Sequence, residues 1–229
     1  MIKFTPILLA LLYGLVMYRF SAWRTAKELD ARSSELADPK LLDTMARLAK
    51  ALDLPKIRVH LYEIDPINGL AAPDGRIFIT RGFYQKFRQG EVTADEMASV
   101  IAHELGHVAL GHSRRRMIDF SGQNALRTAL ALVLSRFLPG FGVYIANGLT
   151  SLLAARISRS DEYEADEYAA ALLTKAGIGT RAQKSMFEKL EKLTAMNNGT
   201  MPAWLMSHPK TPDRIAAIEK LEKDWQVSG

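Results

Sequence analysis

The chain contains no cysteine. That excludes disulfides and thiolate metal sites, so any zinc must be held by histidine and carboxylate. Histidine is scarce too, at five residues in 229, which makes a patterned pair of them informative. No internal repeat and no low-complexity tract is present. Basic residues exceed acidic ones by 30 to 25, and they are dispersed apart from Arg114-Arg115-Arg116 and a cluster after the first apolar run. A membrane surface is therefore the expected anionic partner, and no nucleic acid is expected. With 48% hydrophobic and 24% charged residues, the composition is that of a packed globular chain with one good core and an appendage.

Long hydrophobic runs are also few. Between Lys3 and Arg19 lie fifteen uncharged residues, short of the roughly 20 that span a bilayer comfortably. Tyr18, Phe20 and Trp23 with a snorkelling Arg19 can lengthen the run. A cleaved secretory signal is the rival reading. Arg19-Phe-Ser-Ala-Trp-Arg24 opposes it, because it offers two arginines and no small-x-small cleavage site. We expect residues 1–24 to be a retained membrane anchor that contacts lipid, and residues 25–229 to form the remaining domain. Arg19, Arg24, Lys27 and Arg32 follow the anchor, so the positive-inside rule points to a cytoplasmic position for the domain that follows, on a bacterial-type inner membrane, although Glu28 and Asp30 interleave them. A second run, nineteen uncharged residues between Arg136 and Arg156, is interrupted at Pro139-Gly140 and diluted by glycine, Asn147, Thr150 and Ser151. It reads as a buried or membrane-surface helical hairpin in preference to a span.

Asp38-Pro39 opens a helix with Leu41, Leu42, Met45, Leu48, Ala49 and Leu52 on one side, closed by Leu54-Pro55. Ile57–Leu61 and Arg76–Thr80 are the clearest strands, and Pro73-Asp74-Gly75 is a turn before the second. His60 alternates with apolar residues and reads as an exposed strand histidine. Gly177-Ile178 reads as a helix C-cap, Thr180-Arg-Ala-Gln183 as a capping box, and Thr211-Pro212-Asp213 as a helix start. The expected class is α+β, mostly helical, with a small sheet before the central motif.

That motif is Val100-Ile-Ala-His103-Glu104-Leu-Gly-His107-Val-Ala-Leu110. It writes H-E-x-x-H into an apolar, helix-compatible segment. Thr93-Ala-Asp-Glu96 is a capping box at its start, and Met97, Val100, Ile101, Leu105 and Val108 form a buried stripe. On a helix His103 and His107 share a face, so both imidazoles can reach one metal ion while Glu104 leans over the same site. Two solvated histidines on a surface helix are the plain alternative. A catalytic zinc needs three protein ligands and an open position for water, so a third ligand must come from elsewhere. Ser158-Arg-Ser-Asp-Glu162-Tyr-Glu164-Ala-Asp166 heads another predicted helix, with Glu162 fifty-five residues beyond His107. Glu162 and Asp166 share a face; Glu162 can bind metal while Asp166 receives the free N–H of a liganding histidine. An acidic, solvated helix start is the alternative for this segment. Glu104 is then placed as general base toward a metal-activated water, passing the proton later to the leaving amine. His208, in Ser207-His-Pro-Lys-Thr-Pro-Asp-Arg214-Ile, is the candidate for steadying the oxyanion, with Arg214 one turn into the following helix. A histidine before proline is also a common structural device, and spacing alone leaves both readings open. His112 lies five residues after His107, so it is expected to face elsewhere.

H-E-L-G-H, then Ser-Arg-x-x-Glu-x-x-Ala-Asp, then Ser-His-Pro-x-x-x-x-Arg-Ile resemble the membrane-associated gluzincin peptidases of the HtpX and CAAX-prenyl-protease type. Asn68 to Gly82 resembles that family's segment running into the active-site edge strand. The resemblance implies one zinc ion per chain held by His103, His107 and Glu162, with Asp166 outside that set. It implies a strand around Ile77, Phe78, Ile79 and Thr80 pairing with an extended polypeptide substrate, and unfolded or damaged membrane-associated proteins as clients. In some relatives the histidine matching His208 approaches zinc in a self-blocked resting state. One clear apolar run and no tetratricopeptide extension after Gly229 set this sequence apart from the larger members. The expected activity is zinc-dependent endoproteolysis. The alternative is a membrane-tethered, chaperone-like binding module whose zinc is structural or blocked by His208.

Overall fold

Thr93 begins the central helix as the capping box anticipates: its side chain accepts from the Glu96 backbone N–H at 3.2 Å, and Glu96 accepts from the Thr93 N–H at 2.8 Å. A computed structural model provides the structure, described for residues 5–112, 115, 126–127, 130–131, 133–138, 140–195, 208 and 211–228. The described elements are α1 (Thr5–Ala31), β1 (Ser33–Glu35), α2 (Pro39–Ala51), β2 (Val59–Tyr62), β3 (Gly69–Ala71), β4 (Ile77–Thr80), α3 (Arg81–Arg88), α4 (Ala94–Ala109), α5 (Gly142–Lys175), α6 (Arg181–Ala195) and α7 (Thr211–Ser228). The fold is mostly helical with one small mixed sheet. Ser207, Pro209, Lys210 and Pro139 fall outside the described residues.

Helix α4 packs against α2, α5, α6 and β3. Its Met97, Val100 and Ile101 are buried with Leu41, Met45 and Leu48 of α2, Ile77 and Ile79 of β4, and Leu173, Met186 and Leu190 of α5 and α6. Each such side chain contributes about 1.5–3 kcal/mol on leaving water, so this core fixes α4 from several sides. Glu96 also accepts from Ser185 at 2.6 Å and Lys189 at 2.8 Å, which ties the start of α4 to α6. Where α4 crosses α5, a Cβ on Gly106 would meet the Ala165 backbone at 3.0 Å. A side chain there would push α5 back by a few tenths of an ångström, so glycine eases an approach that brings the acidic residues of α5 within reach of the α4 histidines.

The sheet order is β1-β2-β4-β3, with β2 and β4 parallel and the outer strands antiparallel to them. This corrects one expectation. Ile77, Phe78, Ile79 and Thr80 form an interior strand, hydrogen-bonded on both sides and buried throughout, so they have no free edge for a substrate. The edge beside α4 is β3, with Gly69 against Val100 and Glu104. Three residues containing a glycine give too short a pattern to announce a strand, and β1 escaped notice for the same reason.

Helix α1 passes residue 24 without a break. Its far end docks on the sheet: Leu29 is buried with Tyr62, Ala72 and Phe78, and the Tyr62 hydroxyl donates to Glu28 at 2.9 Å. Farther back, Leu12, Tyr13, Leu15, Val16, Phe20 and Trp23 are exposed. Among the described residues no helix is long and apolar enough to cross a membrane. In the second apolar run, helix over 133–137 gives way to α5 at Gly142; Phe137, Phe141 and Tyr144 are exposed, whereas Ala146 and Thr150 are buried. Asp38 caps α2, with Pro39 in the first turn, although Leu42 faces solvent. Gln183 corrects another expectation: its amide donates to the Asp166 carbonyl at 3.2 Å, while Thr180 bonds Glu222 of α7. His60 is half-buried against Phe78 and not exposed.

Candidate active site

His103, Glu104 and His107 project from the buried face of α4, each 3% exposed or less. Across the crossing at Gly106, α5 supplies Glu162 and Asp166, both buried. His208 comes from the segment before α7 and is 3% exposed, whereas Arg214 from the first turn of α7 is the largest fully buried side chain among the described residues. All seven candidates outside the sheet therefore converge.

Four of them bring ligand atoms together: His103, His107, Glu162 and His208 each place one donor within 4.8 Å of the others. His103 Nε2 lies 3.0 Å from His107 Nε2, 3.3 Å from His208 Nδ1 and 3.4 Å from Glu162 Oε2. His107 Nε2 is 3.5 Å from Glu162 Oε1, and His208 Nδ1 is 2.5 Å from Glu162 Oε2. Bonds of about 2.0–2.1 Å in a tetrahedron separate ligand atoms by about 3.3–3.4 Å, close to most of these spacings. Two imidazole Nε2 atoms facing each other at 3.0 Å make a favourable contact only with a hydrogen-bonding proton or a metal ion between them. The residues present fit a divalent ion.

The surroundings hold that geometry. His103 Nδ1 donates to Asp166 Oδ1 at 2.9 Å, leaving Nε2 to point at the cluster. Arg214 grips Asp166 through a two-pronged contact, Nε to Oδ2 at 2.6 Å and Nη2 to Oδ1 at 2.7 Å, and stacks 4.3 Å from the Phe187 ring centre. Burial would push the His103 pKa down, but hydrogen bonds to Asp166 and Glu162 outweigh it and lift the value to about 9. In His208 burial prevails over the attraction of Glu162 and lowers the pKa to about 4. Burial would raise Glu162, yet His208 and His103 hold it well below the usual carboxylate range. Asp166 is lowered as well, burial being outweighed by Arg214 and His103. The carboxylates thus favour one positive charge beside Glu162, the charge a bound cation supplies.

His208 Nε2 lies 3.6 Å from Glu104 Oε1, so its ring bridges Glu162 and Glu104. Glu164 points away from the donors, toward His112. His112 itself corrects an expectation, for its Nδ1 lies 3.0 Å from His107 Nδ1. A residue five positions on would face elsewhere had α4 continued. The helix instead ends at Ala109, and Gly111, at φ 71°, turns the chain back. That glycine was the available signal.

Arg214→Ala removes the main partner of a fully buried ion pair and leaves Asp166 with His103 alone. We expect a loss of about 3–5 kcal/mol in unfolding free energy, measurable by denaturant titration of the purified protein. A loss below about 1 kcal/mol, the range of exposed pairs, would show that the pair does not brace the site.

A buried His-Glu-x-x-His helix meeting a glutamate from a second helix is the arrangement of the gluzincin class of metallopeptidases. Residues 35–222 match Peptidase family M48. The chain is similar to the metalloprotease LoiP of Escherichia coli (strain K12), with 30% identity over 202 residues, 85% of this chain and 76% of that one. Similarity to the metalloprotease YcaL of the same organism is 31% over 184 residues, covering 76% of this chain and 67% of the relative. An HtpX homologue of Bordetella avium (strain 197N) is 26% identical over 256 residues, covering 96% and 83%. The chain belongs to peptidase family M48 and is a metalloendopeptidase.

Proposed function

We propose that this metalloendopeptidase depends on zinc, held by His103, His107 and Glu162, and cleaves extended, unfolded polypeptides at a membrane. The observation that carries the reading is the meeting of two α4 imidazoles with the α5 carboxylate at distances suited to one small ion. Neutral imidazole and carboxylate, without thiolate, suit catalytic zinc. When bound, zinc supplies Lewis-acid chemistry, acidifying a water molecule and polarising the scissile carbonyl. Glu104 takes the proton of that water as general base and returns it to the leaving amine. With Glu162 engaged by the ion, His208 gives up its 2.5 Å contact with that carboxylate and donates the freed N–H to the oxygen on which charge develops. Asp166, braced by Arg214, orients His103. An extended chain pairs with the outer edge of β3, beside Glu104, gaining backbone hydrogen bonds with little sequence selectivity. Lipid is contacted by the anchor of residues 1–24, supported by the exposed apolar side chains of α1, and by the exposed Phe137, Phe141 and Tyr144.

Purified protein is expected to hold one zinc per chain and to cleave casein; a chelator abolishes cleavage and added zinc restores it. Cleavage that survives complete metal removal would contradict the reading.

One observation favours a second arrangement. His208 is among the four convergent donors, so in a resting protein it closes the position that substrate and water need. The two roles of His208 separate in one experiment. As an oxyanion donor, its replacement by Ala lowers kcat about 10²–10³-fold with zinc retained. A gain in casein cleavage by His208→Ala would instead mark it as a block, and a protein that binds clients without cleaving them in either form would be the binding module.

A further inference from the structure

The two α4 imidazoles are held from behind in different ways. His103 has a carboxylate at its outer nitrogen, whereas His107 Nδ1 faces another imidazole, His112 Nδ1, at 3.0 Å. His112 is fully buried, and its Nε2 faces Glu164 Oε2 at 3.3 Å and Asp161 Oδ1 at 3.9 Å. Asp161 is also fully buried and is bound by the Arg115 guanidinium, while Glu164 accepts from the Ser160 hydroxyl at 3.1 Å. These partners fix the order. His112 keeps its proton on Nε2, donated to Glu164, and its Nδ1 lone pair accepts the Nδ1–H of His107. That leaves His107 Nε2 as a lone pair at the point where it meets His103 Nε2 and Glu162. The reverse order would turn the His112 Nε2 lone pair against two carboxylates and aim an N–H of His107 at the metal position, so it is disfavoured at both ends.

We propose that His112 is a positioning residue for the metal centre, the middle of a Glu164-His112-His107 relay that fixes the tautomer and ring plane of His107 and so strengthens its hold on a divalent ion. The inference rests on the reading of His103, His107 and Glu162 as metal donors. Outer partners of liganding histidines typically contribute 10–100-fold in metal affinity. Because His112 and Arg115 lie at the start of the 112–164 segment and Asp161 and Glu164 at its end, these contacts also tie the two ends of that segment together behind His107.

The test measures zinc dissociation constants of the full chain by chelator competition, alongside thermal unfolding of each metal-free protein. His112→Phe fills the space without offering an acceptor and is expected to weaken zinc binding about 10–100-fold. His112→Asn sets an Oδ1 acceptor where Nδ1 lies and is expected to recover most of that loss. A role in packing alone would instead track the metal-free unfolding temperature. Should His112→Phe fail to fold, Glu164→Ala carries the test, because that half-exposed side chain can be truncated without opening the core. It is expected to weaken zinc binding severalfold, toward the lower end of that range, with the metal-free unfolding temperature unchanged. Wild-type affinity in His112→Phe, or in Glu164→Ala if that variant carries the test, overturns the relay, as does equal weakening in the Phe and Asn variants. A wild type that binds no zinc overturns the donor assignment, and the relay with it.

Discussion

Glu104→Gln is expected to retain zinc and lose about 10²–10⁴-fold in casein turnover, the range supplied by a well-placed acid–base group. Glu104 sits beside His103 on α4, is 2% exposed and is not one of the four convergent donors. The amide keeps the shape and the acceptor oxygen of the carboxylate, so the helix packing and the ligand set are preserved. What it loses is the capacity to take a proton from water and hand it to the leaving nitrogen. Metal content and unfolding temperature therefore stay near wild type while kcat falls. Turnover within a factor of a few of wild type would remove Glu104 from the mechanism. Loss of the metal in step with activity would assign Glu104 to ion binding.

Glu162→Ala is expected to cost more in metal affinity than any outer partner, exceeding the roughly 10–100-fold of such groups. It deletes the carboxylate that faces His103, His107 and His208 together, and it leaves Arg214 3.8 Å from an emptied position. Glu164→Ala is the natural control, since it lies two residues away on the same helix with its side chain 48% exposed and directed at His112. Both proteins should be compared as zinc per folded chain after dialysis, because Glu162→Ala also disturbs a buried charge cluster. Equal zinc content in the two variants would reverse the assignment of the third ligand.

How far the sequence revealed this site followed from how local each part is. His103, Glu104 and His107 were legible because one helical period sets their geometry, and Thr93 with Glu96 marked where that helix begins. Glu162 and Asp166 could be paired by the same four-residue spacing on α5, but that α5 crosses α4 at Gly106 follows only from tertiary packing against Ala165. Arg214 was placed near the site by its position after His208. Its two-pronged grip on Asp166 joins residues 48 positions apart and left no local trace. His112 was misjudged because the helix was extended past Gly111, where the chain reverses. The edge strand was misassigned for a related reason. Ile77 to Thr80 has the apolar, β-branched composition of a strand, yet a strand buried on both faces sits inside a sheet. The three residues Gly69–Ala71 that form the sheet's outer strand beside α4 carry almost no strand signal.

The central claim is that His103 and His107 from α4 and Glu162 from α5 hold one zinc ion. A crystal of the purified protein, with diffraction recorded on both sides of the zinc absorption edge, tests it most directly. The account predicts a single anomalous peak per chain about 2.0–2.2 Å from both Nε2 atoms and from a Glu162 oxygen. A peak bound by other side chains, or a zinc-loaded protein in which Glu162 lies out of reach of the ion, would contradict it.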